Sequence, residues 1–358
     1  MPIDPRRAGR NLPLDALRGL AALAVVLHHY GFGYEARVGP HNAPVPLFTA
    51  GHFGVELFFI LSGFVITETL RRTPTLGHFV VNRVARLYPA FLACCGLTLA
   101  VLALGGPNPL GISPLSALAG LTMLAPIFQL PPIDPSHWTL CFEVSFYALA
   151  GLCFRRNMEV VCTVWLAAAT ACSSYLQSDV VNTAVLLYLP LVNLFIIGAL
   201  LARLVAGQLR GLGLATFIVA LGLTAHGPFA DQGGLGRAGY VCLILAFTGT
   251  VWAAATGRLG WLGRRPLVAL GAISYPLYLL HQILGFAVIR HLEAAGWPAH
   301  AAIAAALILV ILLSILIRVT VEVPAQRAIR RAWAARSSAA AEAHPEAGLT
   351  SLQARGVR

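Results

Sequence analysis

Long apolar stretches separated by short polar links run through almost the whole chain. Crossing a bilayer as a helix takes about 20 predominantly apolar residues. Ten stretches meet or approach that length: 14–33, 52–70, 88–105, 137–154, 158–176, 183–205, 212–226, 238–256, 267–290 and 299–321. The seventh is short. A further apolar stretch, 115–130, contains Pro126 and runs into a Pro-rich PPIDP turn, so it reads as a re-entrant or interfacial helix, or as one more span. The pattern predicts an all-α fold, a polytopic transmembrane helical bundle of about ten spans.

Composition agrees. With 58% hydrophobic and 11% charged residues, the 358-residue chain falls far below the charged fraction of about 25% typical of soluble domains. The net charge of +11 comes without a single Lys, and the arginines cluster between apolar runs rather than along one face, which argues for topology and against nucleic acid. If the N-terminus is cytoplasmic, Arg6, Arg7, Arg10, Arg71, Arg72, Arg83, Arg86, Arg155, Arg156, Arg210, Arg258, Arg264, Arg265, Arg327, Arg330 and Arg331 fall inside. Only Arg37, Arg237 and Arg290 then fall outside, so ten spans with both termini in the cytoplasm satisfy the positive-inside rule.

Three segments follow: a cytoplasmic N-terminal segment 1–13, a transmembrane domain 14–321, and a basic cytoplasmic tail 322–358. The tail starts as a helix suited to anionic lipid and is expected to be disordered after about 337. The seven cysteines sit in or beside apolar runs in no metal-ligand spacing and read as small buried side chains; no metal site is expected.

Ionisable groups inside a bilayer cost about 2.5–3.5 kcal/mol each on insertion scales, so each needs a reason. In LDALRGLAALAVVLHHY, Arg18 and His29 are eleven positions apart, roughly three turns along nearly one face, whereas His28 points elsewhere. The second span carries Glu56, with Gly51, Gly54 and Gly63 allowing close approach of neighbours. Glu68 lies beside Arg71 and Arg72 and reads as their partner. Arg83 and Arg86, spaced i, i+3 just before Pro89 opens the third span, offer a donor set for phosphate, or else for lipid headgroups.

In the fourth span Thr139, Glu143 and Tyr147 share a stripe, with His137 and Trp138 at the outer interface. In the ninth, Ser274, Tyr278 and His281 form another, with a kink expected at Pro276. For Glu56 and His281, structural and catalytic readings both stay open on spacing alone.

These stretches together resemble the membrane acyltransferase-3 family from Leu14 to Pro324. LDALRGLAALAVVLHH resembles its opening motif, with Arg18 and His29 on the Arg and His positions. GVELFFILSGF and RVARLYP are similar to its second motif and its R-x-x-R motif, and HWTLCFEVSFY to its W-x-L-x-x-E-x-x-F-Y pattern. ISYPLYLLH and VEVP resemble its late S-Y-x-x-Y-L-x-H and E-x-P patterns.

The resemblance implies a multi-pass protein of the cytoplasmic (inner) membrane that moves an acyl group, often acetyl, onto extracytoplasmic sugars and related acceptors. It implies acyl-CoA, acetyl-CoA foremost, as co-substrate rather than a permanently bound cofactor, and His29 as the essential histidine. Direct transfer to a carbohydrate or lipid-linked glycan is expected. CoA phosphates held at Arg83 and Arg86, with Arg18 on the same side, would let the pantetheine arm reach His29, about 16 Å deeper at 1.5 Å per residue. Glu143 or Glu56 would orient the imidazole, and Tyr147, Ser274, Tyr278 and His281 would form a polar stripe that is substrate-facing or structural. Two alternatives remain open: a carrier or flippase for a glycan precursor, and O-acylation of a small secondary metabolite.

Overall fold

The structure, a computed structural model, describes residues 11–152, 156–175, 188–226 and 235–343. Arg6, Arg7, Arg10, Arg155 and Cys153 lie outside these residues, as do most of the N-terminal segment and the end of the tail. Among the described residues every regular element is helical.

Helix α1 spans Leu12–His28. It starts where Asn11 accepts a hydrogen bond from the Leu14 amide (3.3 Å) and Pro13 occupies the first turn, as expected of a helix N-terminus. At its far end it widens into a π turn, His29–Gly33, and closes with Tyr34–Arg37. After a loop come α2 (Gly54–Arg72), α3 (Leu76–Ala103) and the short α4 (Pro114–Gly120). The chain continues through α5 (Trp138–Leu152), α6 (Met158–Tyr175), α7 (Leu189–Val205), α8 (Leu212–Leu223) and α9 (Gly236–Ala255). A broken pair, α10 (Arg265–Leu280) and α11 (Ile283–Ala294), precedes α12 (Ala299–Ile317) and α13 (Val323–Ala343).

Among the described residues five helices are long and apolar enough to cross a membrane, or six when the bent pair α10–α11 counts as one. The other expected spans coincide with the shorter helices α5 to α8; α8, with 12 residues, is the shortest, about 18 Å long. The 115–130 stretch forms α4 and a 3₁₀ turn, Ala125–Phe128, so it holds no helix long enough for an eleventh crossing. Outward faces are apolar: on α12, Ile308, Leu312 and Leu316 are each more than half exposed at successive turns. Such a stripe suits lipid and not water.

Inside the bundle α1 lies along α10, and α2 lies along α7. Glycines permit both approaches. Gly19 meets the backbone at Gly271, and Gly63 and Gly198 bring α2 and α7 together. Gly51 and Gly54 face the α1 carbonyls of Ala24 and Ala21, as their spacing predicts, whereas Gly63 serves α7 instead. A Cβ at position 63 would collide with the Phe195 carbonyl. Gly63→Ala is therefore expected to cost about 1–3 kcal/mol, the usual penalty of overpacking, and to lower the thermal midpoint at which detergent-solubilised protein stays monodisperse. An unchanged midpoint would contradict this packing.

Two expectations about helix ends change. The third span opens at Leu76, where the Thr75 hydroxyl accepts from the His78 amide (3.3 Å), and Pro89 lies inside it. Arg83 and Arg86 thus sit within the helix, not ahead of it. The ninth span does not break at Pro276. Proline removes the amide that would bond the Ala272 carbonyl, and Arg318 Nη1 fills that place at 2.6 Å. The 74° bend comes later, at His281 and Gln282.

Candidate active site

Arg18 from α1, Arg83 and Arg86 from α3, Glu143 and Tyr147 from α5, and Ser274 and Tyr278 from α10 line one narrow cavity of about 80 Å³. Helical spacing of Thr139, Glu143 and Tyr147 turns all three toward it, and the Tyr147 hydroxyl donates to Glu143. The two candidate phosphate arginines differ. Arg86 pairs with Glu322, a fully buried carboxylate that also receives Gln326 Nε2 (3.1 Å) and Arg318 (3.5 Å). Arg83 pairs with no carboxylate among the described residues; its guanidinium lies 5.7 Å from the Tyr147 ring centre and its Nε has no hydrogen-bond partner. Glu68 behaves as its sequence suggests, with Arg71 at 3.0 Å and Arg72 at 3.2 Å. Ser274 donates to the Gly271 carbonyl (2.9 Å), which ties its hydroxyl to its own helix.

A second, larger cavity of about 930 Å³ lies beyond the first. Val55 and Tyr278 line both, so the two share a wall there. His28, His29, His52, Glu56, Trp138 and Gln282 line the larger one. Arg18 therefore opens on the first cavity and His29 on the second, as their shared helix face requires.

The broken helix decides the chemistry of His29. Its exposed backbone groups must find partners, and the PPIDPSH turn supplies them. Fully buried Asp134 accepts from the Ile283 amide (2.9 Å), capping α11, and from the Ser136 amide (2.9 Å) and hydroxyl (2.6 Å). Ser136 Oγ reaches the Tyr278 carbonyl (3.2 Å), and His137 Nε2 donates to the Leu279 carbonyl (3.0 Å). His137 is thus buried, and Trp138 faces the larger cavity.

At the break, His281 Nδ1 lies 2.7 Å from the Tyr278 carbonyl, which can only accept, so this nitrogen carries the proton. In neutral His281, Nε2 then holds a lone pair, and it lies 2.8 Å from His29 Nδ1. His29 Nδ1 donates there, which leaves His29 Nε2 unprotonated. The order carbonyl, His281, His29 repeats the logic of a catalytic triad, with a histidine and a carbonyl where a carboxylate usually stands.

Neither Glu143 nor Glu56 occupies that place. Glu143 bonds Tyr147 in the other cavity, and Glu56 Oε2 has no partner. Sequence reasoning missed Asp134, His52 and Gln282. Asp134 does carry a signal, an Asp directly before Pro at a helix start. Gln282 and His52 carry none that spacing reveals.

Partly buried arginines on one cavity and a tautomerically fixed histidine on its neighbour are the equipment of a membrane group-transfer enzyme. Residues 11–319 match the acyltransferase-3 family, described as an acyltransferase domain, and the chain belongs to that family. It is an acyltransferase. The exopolysaccharide production protein ExoZ of Rhizobium meliloti (strain 1021) is 30% identical over 285 residues, 73% of this chain and 85% of that protein. The acyltransferase MdmB of Streptomyces mycarofaciens is 27% identical over 321 residues, 80% and 81% of the two chains. The peptidoglycan O-acetyltransferase OatA of Listeria monocytogenes is 32% identical over 83 residues, 22% of this chain and 11% of that protein. No solved structure matches the chain.

Proposed function

We propose that this membrane O-acyltransferase takes an acyl group, acetyl in the simplest case, from acyl-CoA on the cytoplasmic side and places it on a carbohydrate hydroxyl on the other side of the inner membrane. The observation that carries the reading is the fixed tautomer of His29 on the wall of the larger cavity. Ten crossings with both termini inside keep the arginine end of the bundle in the cytoplasm. There Arg83, free of a carboxylate, takes a donor phosphate, and Arg18 and Arg86 add positive potential.

The thioester then lies near Tyr278, which lines both cavities. His29 Nε2 removes the proton of the acceptor hydroxyl as its oxygen attacks the thioester carbonyl. The tetrahedral adduct expels the CoA thiolate, and the same Nε2–H protonates it. One ester forms, one thioester breaks, and His29 ends as it began. His281 disperses the imidazolium charge through the hydrogen bond to His29 Nδ1.

Membranes given labelled acetyl-CoA are expected to form an acetyl ester on envelope glycan. Arg83→Gln should raise the KM for acetyl-CoA about tenfold or more while kcat at saturation changes little, since a charge-assisted hydrogen bond is worth about 1.5–3 kcal/mol. A fall in kcat at unchanged KM would remove Arg83 from the donor site. A carrier or flippase would work without acetyl-CoA. A small secondary metabolite, the second acceptor class, would carry the label in the same experiment.

A further inference from the structure

The larger cavity contains polar groups that the proton relay does not use. Gln282, 1% exposed at the helix break, has no partner for Oε1 or for Nε2. Glu56, 3% exposed, has none for Oε2. His52 Nδ1 donates to the Thr49 carbonyl (2.6 Å), which leaves Nε2 as an acceptor, buried and unpartnered. Leaving such groups unpaired costs about 1–3 kcal/mol each, and folded proteins pair nearly all of them, with protein, ordered water or a bound ligand.

Their chemistry selects the ligand. His52 Nε2 and Gln282 Oε1 need donors. The Gln282 amide needs an acceptor, and Glu56 Oε2 is served by a hydroxyl in either protonation state. A phosphate or carboxylate ligand brings acceptors only and leaves His52 and Gln282 Oε1 unpaired. A hydroxyl donates and accepts at once. Two adjacent hydroxyls match a primary amide, which gives and receives side by side. Trp138 adds an apolar aromatic wall, and about 930 Å³ is room for a sugar-sized ligand rather than a single small alcohol.

We propose that Gln282, His52 and Glu56 form the acceptor subsite and select a pair of adjacent hydroxyls on a sugar ring, holding one of the two at His29 Nε2. Gln282 directly follows His281, so the residue that selects the hydroxyl pair and the residue that orients the base lie at the same helix break. The inference rests on the O-acyltransferase reading above.

The test uses the full-length protein in detergent, with methyl β-glucopyranoside and methyl β-galactopyranoside as acceptors, 1-propanol as the alcohol lacking a hydroxyl pair, and acetyl-CoA as donor. Wild-type protein is expected to acetylate a hexoside in preference to 1-propanol. Gln282→Met, which keeps length and volume, should raise the hexoside KM about tenfold. It should leave the acetyl-CoA KM unchanged and erase the preference over 1-propanol. His52→Ala, on a different element, carries the same expectation if Gln282→Met fails to fold.

Hexoside binding, followed by tryptophan fluorescence, separates the two readings. If wild-type protein releases no CoA and forms no ester with any acceptor, transfer from acetyl-CoA fails, while hexoside binding that weakens in the variants still supports the subsite. Wild-type protein that transfers acetyl but neither binds nor prefers hexosides overturns the subsite. So does an unchanged hexoside KM in either folded variant.

Discussion

Replacing His29 by alanine is expected to lower acyl transfer from labelled acetyl-CoA by about two to four orders of magnitude in membranes with matched expression, the usual weight of a general base. The expectation follows from the hydrogen bonds at both ends of His281. The Tyr278 carbonyl fixes His281, His281 fixes His29, and the basic nitrogen that results belongs to a ring lining the larger cavity. His28 stands beside it as a control. Its Nδ1 bonds the Phe48 carbonyl (3.3 Å) and takes no part in the relay, so His28→Ala should reduce transfer only a few-fold. Full transfer by folded His29→Ala protein, or equal losses at both positions, would exclude His29 as the base.

Asp134→Asn should cost about as much activity and also destabilise the fold. The carboxylate receives three hydrogen bonds inside the protein, one from the first amide of α11 and two from Ser136. Asparagine can accept with one atom only. It would turn an N–H toward either the Ile283 amide or the Ser136 donors, leaving buried donors unpaired at about 1–3 kcal/mol each. The α10–α11 break would relax, and His281 with it. The checks are a lower thermal midpoint in detergent together with a fall in kcat larger than any rise in the acetyl-CoA KM. A variant as stable and as active as wild type would show that the break is held by other contacts.

Much of the site was readable in advance because helical periodicity is local. The eleven-position step from Arg18 to His29 places both on one face whatever surrounds them, and four-residue steps do the same for Thr139, Glu143 and Tyr147. The position of the bend was not readable in that way. Pro276 is the expected cause of a kink, yet Arg318 replaces the lost hydrogen bond and the chain turns five residues later, where Asp134 can cap a new helix. The partner of His29 was likewise sought among carboxylates, as triads suggest, and proved to be a histidine.

Composition and periodicity by themselves determined that the chain is a helical membrane protein with arginines gathered near one end, because hydropathy and helix geometry need no knowledge of neighbours. Tertiary structure alone decided which polar groups meet. His29 finds His281 across 252 positions, Asp134 finds Ile283 across 149, and Arg86 finds Glu322 across 236. Such pairings depend on how glycine contacts bring α1 onto α10 and where a broken helix exposes its backbone, and a one-dimensional pattern carries neither.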